Sequence, residues 1–257
     1  MGGDLSPARA DAGPSGAGGG PHAGPRPGRV IVVDADAFAA TTAGSIARML
    51  VEAVMDRGAI HVALAGGSTP RPIYERLARR DDLPWPKLHV YFGDERAVAP
   101  DDPASNFRMA RETLLRHVPI PPEQVHRMEA EREDRGAAAA DYARLLPDRL
   151  DLVLLGTGAD GHTASLFPGS PALAERTRPV LAVEGPKPPV KRLTIAPGVI
   201  TSARATLAMA TGREKAEAVA RAVEGAWEPA ACPAQLARAG VWVLDRDASA
   251  GLRGDAP

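Results

Sequence analysis

The sequence predicts an α/β domain with a mostly parallel sheet and helices on both faces. Two observations carry this reading. Short β-branched or apolar runs, bounded by turn residues, alternate with longer stretches of helical period. The cores of those runs are apolar rather than alternating, as strands covered on both faces require. The expected strands are 29–33, 61–65, 88–92, 152–155, 179–183, 206–210 and 241–244. Between them, 39–56 carries Ile46, Met49, Leu50 and Ala53 at helical spacing, and 70–80 opens on a proline suited to a first helical position. Further helices are expected over 106–117, 135–146 and 213–223, while Pro84, Pro86, Pro119, Pro121 and Pro122 punctuate connections.

A chain of 257 residues suits one such domain. Residues 1–28 are a Gly/Pro/Ala mixture too poor in large side chains to offset their ordering entropy, so they read as a disordered tail. The folded domain is expected over 29–248, with a flexible end at 249–257. Acidic residues number 32 against 31 basic ones, a net charge of −1, which leaves no excess positive charge to attract nucleic acid or anionic lipid. Cys232 is the single cysteine, so neither an internal disulfide nor a zinc cluster is available. No apolar run approaches the roughly 20 residues that span a bilayer, and the N-terminus lacks a secretion signal's apolar stretch. A cytoplasmic monomer is expected.

Ligands of open α/β sheets collect beyond the carboxyl ends of strands, and three segments there have suitable chemistry. In Ala65-Gly66-Gly67-Ser68-Thr69-Pro70, two glycines let backbone N–H groups approach an anion and two hydroxyls add donors. The spacing and lysine of a Walker A loop are missing. On the residues alone, an ordinary glycine turn with Ser68 or Thr69 capping a helix fits as well. In Gly93-Asp94-Glu95-Arg96, followed by Ser105-Asn106, two carboxylates suit sugar hydroxyls and a guanidinium suits an oxyanion; a solvated loop with a surface ion pair is the alternative. The third segment runs from Gly156 to Gly169 and reads GTGADGHTASLFPG. Its GxGxxG string is weak as a nicotinamide signature, because Pro168 arrives too soon for the long helix of that motif. It contains His162, the one histidine in a glycine-rich loop after a strand, with Asp160 two positions before it. Imidazole can take a proton from water near neutrality.

Together these segments resemble the 6-phosphogluconolactonase family, within the wider group that includes glucosamine-6-phosphate deaminases. The resemblance rests on AGGSTP at 65–70, GDER at 93–96 with SN at 105–106, and GTGADGHTASLFPG at 156–169. RLT at 192–194 and GREKA at 212–216 extend it over about 30–245; Ala65 stands where the family usually has serine. It implies a Rossmann-like fold, no metal, no cofactor, and hydrolysis of a sugar-phosphate lactone in the second step of the oxidative pentose phosphate pathway. It further implies His162 as general base, oriented by Asp160, with Arg96 stabilising charge at the lactone carbonyl. For the phosphate it points to Gly66, Gly67, Ser68, Thr69, Arg192 and Lys215, and for the rest of the substrate to Asp94, Glu95, Asn106 and Gly158.

Two other functions fit parts of this pattern. An amino-sugar phosphate deaminase or isomerase would need a carboxylate base at the substrate carbon, for which Asp94 or Glu95 could serve, but the residues after Gly161-His162 favour the lactonase. A sugar-phosphate-sensing regulator would need a DNA-reading module, and no helix-turn-helix pattern precedes the sheet.

Overall fold

In the computed structural model, which describes residues 24–253, the chain alternates strands and helices much as the pattern predicts. The elements are β1 (Val30–Val33), α1 (Ala35–Arg57), β2 (Ile60–Leu64), α2 (Arg71–Leu77), β3 (Leu88–Phe92), β4 (Asp94–Arg96), α3 (Asn106–Thr113) and α4 (Arg135–Leu145). They continue with β5 (Leu152–Gly156), β6 (Val180–Glu184), β7 (Lys191–Ile195), α5 (Pro197–Ser202), β8 (Ala205–Ala210), α6 (Ala216–Val223), β9 (Val241–Asp245) and α7 (Arg246–Ser249). The caps follow local chemistry. Ser105 accepts the Arg108 N–H at the start of α3, Asp134 accepts the Ala137 N–H at the start of α4, and Gly58 ends α1 at φ 78°, which only glycine adopts cheaply.

Six strands form one parallel sheet in the order β1-β9-β8-β5-β2-β3. The chain leaves β2 toward β3 on one side and leaves β5 toward β8 on the other. The topological switch point therefore lies between β2 and β5, and the loops at 65–70 and 156–169 open there. A second, antiparallel sheet has the order β4-β7-β6.

That second sheet corrects the sequence reading. The strand expected at 179–183 is β6, yet it belongs to the small sheet rather than the parallel one, and its Ala182 and Glu184 are exposed. Three-residue β4, written in polar Asp94, Glu95 and Arg96, has no apolar run to betray it. Helix 70–80 stops at Leu77, 39–56 begins four residues earlier at Ala35, and 213–223 divides into a 3-10 turn over Arg213–Lys215 and α6.

Residues 1–23 of the tail expected over 1–28, and 254–257 of the flexible end expected over 249–257, lie outside the described residues. Residues 24–28, assigned to that tail by composition, rest on the domain: Gly24 lies against the Trp227 ring and Gly28 N–H donates to the Arg238 carbonyl at 2.8 Å. At the other end, Arg253 N–H donates to the Glu224 carboxylate. The expectation that no segment is long and apolar enough to cross a bilayer also needs correcting. By length and composition α1 would qualify, but Phe38, Ile46, Ala47 and Leu50 are buried in the core.

That core is contiguous across both faces of the parallel sheet, from Ile46 and Leu50 through Val62, Leu154 and Leu207 to Trp242. One buried carboxylate pins its base. Asp151 accepts the His61 N–H at 2.8 Å and receives Arg57 at 2.8 Å and Arg204 at 3.2 Å, tying α1, β2 and the approach to β8 at the start of β5.

Beside it stands a half-buried aromatic column. His61 on β2 faces His89 on β3, with ring centroids 4.7 Å apart; His126 stacks on Tyr91 at 4.6 Å and on His89 at 5.9 Å. Burial pushes His61 and His126 below the ordinary imidazole value, and the neighbouring histidines add to it; at His61, Asp151 opposes the shift. The fold thus favours neutral rings, while the unfolded chain takes up protons from about pH 6.5 downward. Stability carried by the column is complete above that value and is lost as pH falls through it. The urea midpoint should therefore drop between pH 7.5 and 5.5, and drop less in His126→Phe, which keeps the stacking. An equal acid loss in both proteins would show that the column does not carry the effect.

Candidate active site

The three segments singled out in the sequence meet in one cleft of about 290 Å³ at the switch point. Gly66, Gly67, Ser68 and Thr69 line it after β2; Asp94, Arg96 and Asn106 come from β4 and α3; Gly158 and His162 follow β5; Arg192 is on β7 and Lys215 precedes α6.

The turn after β2 is held from behind. Tyr74 of α2 accepts the Ala65 N–H and donates to the Ala65 carbonyl, both at 2.9 Å. Gly67 takes φ 90°, open to glycine, and a Cβ on Gly66 would collide with the Asn106 carboxamide. On the far side of the cleft, Asp245 at the end of β9 accepts the Gly212 N–H, fixing the turn that carries Lys215.

β4 and β7 bring the cationic wall. Their antiparallel register sets Arg96 directly opposite Arg192, and like charges so placed repel. Arg96 donates to the Ala104 carbonyl at 2.6 Å, while its Nε is buried with no partner. Arg192 donates to the Pro189 carbonyl at 3.1 Å and its guanidinium lies 5.6 Å from the centre of the Phe167 ring. Burial lowers the Arg192 pKa below the ordinary arginine value, Asp94 opposes the shift and Arg96 adds to it. Asp94, 7% exposed, accepts Ser165 Oγ at 2.6 Å and Asn106 Nδ2 at 3.1 Å.

His162 rests on Asp160, whose Oδ1 lies 2.6 Å from the imidazole Nδ1 and 3.1 Å from the His162 backbone nitrogen. Burial pushes the Asp160 carboxyl up, but the hydrogen bonds from His162 outweigh it and hold the group below its ordinary value. With its Nδ1–H given to this carboxylate, the ring keeps the Nε2 lone pair. Ala164 sits at φ 49°, an uncommon left-handed conformation for a residue with a Cβ. It separates Thr163, whose hydroxyl donates to the Gly156 carbonyl at 2.9 Å, from Ser165, which is turned to Asp94.

Two residues expected to bind substrate have other work. The Glu95 carboxylate points away from the cleft and accepts N–H groups of Arg96, Asn106 and Phe107 and the Ser105 hydroxyl, at 2.7–3.0 Å. It caps α3, and burial still raises its pKa in spite of those bonds. Gly158 lines the cleft, but its N–H donates to the His162 carbonyl at 2.9 Å, and a Cβ there would strike the imidazole. It makes room for His162 rather than offering a donor to a ligand. Ser165, Phe167 and Glu214 have places in or beside the cleft to which the sequence reading assigned no role. For the first two the signal was position alone, inside the same loop as His162.

Residues 33–244 match the family described as glucosamine-6-phosphate isomerases/6-phosphogluconolactonase. A 6-phosphogluconolactonase of Mycobacterium tuberculosis is 39% identical over 240 residues, covering 86% of this chain and 97% of that protein. The solved 6-phosphogluconolactonase of Trypanosoma brucei has a TM-score of 0.76 at 31% identity, over 88% of this chain and 98% of that one. A monomeric glucosamine-6-phosphate deaminase has a TM-score of 0.74 at 25% identity, over 87% and 99%. With the family match over 33–244, the sequence identity and the shared fold together, the chain belongs to the family of glucosamine-6-phosphate isomerases and 6-phosphogluconolactonases.

Proposed function

We propose that the chain hydrolyses 6-phosphogluconolactone to 6-phosphogluconate, the second step of the oxidative pentose phosphate pathway, as a cytoplasmic monomer without metal or organic cofactor. The observation that carries the reading is the Asp160–His162 pair in the same cleft as a wall of two arginines and a glycine turn. A lactone is an activated ester, so one base and a cationic site for the oxyanion suffice. His162 Nε2 takes a proton from water as the water oxygen adds to C1, and the carbonyl electrons move onto oxygen. That oxyanion faces the cationic wall, where Arg96 has an unpaired N–H. Collapse breaks the bond between C1 and the ring oxygen, and that oxygen, leaving as the C5 hydroxyl, takes from the imidazolium the proton that came from water. Asp160 holds the ring and stabilises its transient charge.

Gly66, Gly67, Ser68, Thr69, Arg192 and Lys215 take the phosphate in this reading. Because Arg96 and Arg192 are register partners, the two ends of the substrate share one wall, closer together than separate roles for the two arginines suggest. A deaminase would instead need a carboxylate able to take a proton from the sugar carbon. Glu95 is committed to α3, and both Asp94 oxygens already accept hydrogen bonds. Purified protein should release acid from 6-phosphogluconolactone faster than spontaneous hydrolysis, and no ammonia from glucosamine-6-phosphate. The opposite pattern would replace this reading with the deaminase.

His162→Asn should bind 6-phosphogluconate as the wild type does while kcat falls roughly 10²- to 10⁴-fold, the usual range for a positioned general base. Retention of a third or more of wild-type turnover would make His162 structural. Arg192→Ala and Lys215→Ala should raise KM more than they lower kcat, because phosphate contacts remote from C1 contribute mostly uniform binding. Unchanged affinity for 6-phosphogluconate in both variants would remove the two cations from the phosphate site.

A further inference from the structure

We propose that Phe167 is a positioning residue whose ring sets the place of both His162 and Arg192. The inference deepens the hydrolase reading and rests on it. Phe167 is 8% exposed, the burial of a core aromatic, but it stands apart from the contiguous core cluster that its neighbour Leu166 joins. Its contacts are functional groups. The His162 imidazole lies 4.8 Å away, centroid to centroid, tilted by 42°, and the Arg192 guanidinium carbon is 5.6 Å from the ring centre. Both separations fall within the range where a ring quadrupole acts on a neighbouring ring or cation.

The surroundings leave this ring little freedom. A Cβ on Gly185 would fall 2.9 Å from Arg192 Nε and 3.0 Å from Phe167 Cζ, so the backbone there makes room for the aromatic and the guanidinium together. Asp160 fixes the His162 ring through Nδ1 only, which leaves rotation about that hydrogen bond to be limited by packing. Phe167 supplies the packing. Arg192 is half-buried beside Arg96; its N–H groups are given to the Pro189 and Lys187 carbonyls and, at 3.5 Å, to the Ser165 hydroxyl, and this π face packs against the guanidinium plane they define. A single apolar side chain thus links the proton-transferring group on one loop to a cation on β7. No leucine of similar volume offers that face.

The test is Phe167→Leu, which keeps an apolar side chain and removes the ring. The first readout needs no turnover: imidazole C–H proton resonances of His162, assigned by their loss in His162→Asn, should move when the neighbouring ring current is removed. The second is kinetic. A misplaced base should cost kcat about tenfold or more, and a loosened Arg192 should raise KM severalfold. In a His162→Asn background, Phe167→Leu should lower kcat no further, while the rise in KM persists. The urea midpoint should fall only modestly, since leucine keeps much of the buried apolar surface. If Phe167→Leu fails to fold, Gly185→Ala, which pushes on the ring and on Arg192 without deleting either, should still move the His162 resonances and lower kcat, the two readouts that Arg192 alone would not move. Unmoved His162 resonances, or kcat and KM within twofold of wild type, would overturn the proposal. So would kcat losses that add fully in the His162→Asn background. If the resonances move but neither protein acts on the lactone, the positioning stands and the hydrolase reading fails.

Discussion

The cleft depends on how one buried carboxylate is shared. β4 and β7 bring two guanidinium groups face to face, an arrangement that repels unless negative charge is placed against it. Asp94 supplies that charge from within β4, and it is the group whose field opposes the lowering of Arg192. Its two oxygens also take the Ser165 hydroxyl and the Asn106 amide. Asp94 therefore connects the loop of His162 to the start of α3, and through the close packing of Asn106 on Gly66 to the glycine turn. One carboxylate against two arginines leaves the wall cationic, which is the condition for holding an anionic sugar phosphate and a developing alkoxide.

The parallel sheet places these groups and the small sheet gives them their polarity. Strands β2 and β5 are neighbours from which the chain departs in opposite directions, so their following loops cannot cover each other. The gap is closed by β4 and β7, which contribute charge where the parallel strands contribute only backbone and glycine. Rigid supports lie behind each loop: Tyr74 behind the glycine turn, Asp245 behind the turn of Lys215, and Glu95 beneath α3. Those supports are buried, satisfied polar groups, so the groups they position need little reorganisation when charge develops.

Much of this was legible in the sequence because parallel strands are apolar throughout and glycine marks the turns where backbone approaches a neighbour. The six strands of the parallel sheet and the three loop segments could be located from that alone, but not the order of the strands in the sheet. The roles inside the segments could not. Asp94 and Glu95 are adjacent in sequence, but the alternation of a strand sends them to opposite sides of β4, and a strand of three polar residues gives no period to detect. Gly158 was expected at the substrate, and nothing in a GxGxxG string tells whether its N–H faces a ligand or, as here, the carbonyl of His162. β6 has an apolar start and an exposed end, and its assignment to a separate sheet depends on long-range pairing with β7. Local pattern singled out His162 with Asp160 beside it, while Arg192 and Lys215 were reached only through the family resemblance.

The same fold carries a glucosamine-6-phosphate deaminase among its solved relatives, so the choice of reaction has to be made by side chains rather than by architecture. In this chain the deciding feature is how Asp94 is held. The Asn106 amide donates to the Asp94 carbonyl at 2.9 Å as well as to its carboxylate. Both partners are acceptors, so the amide cannot turn over without setting oxygen against oxygen. The Ser165 hydroxyl, fully buried, has Asp94 as its short partner at 2.6 Å and is held on the other side by the Ala164 turn. Both Asp94 oxygens are thus engaged by donors that cannot rearrange, and neither is left free to face a substrate carbon. His162 has the opposite arrangement. Its one strong contact, to Asp160, is through Nδ1 and leaves Nε2 unengaged. On the proposed hydrolase reading the proton traffic falls to the imidazole, and the acid in β4 keeps the cationic wall in place while water attacks.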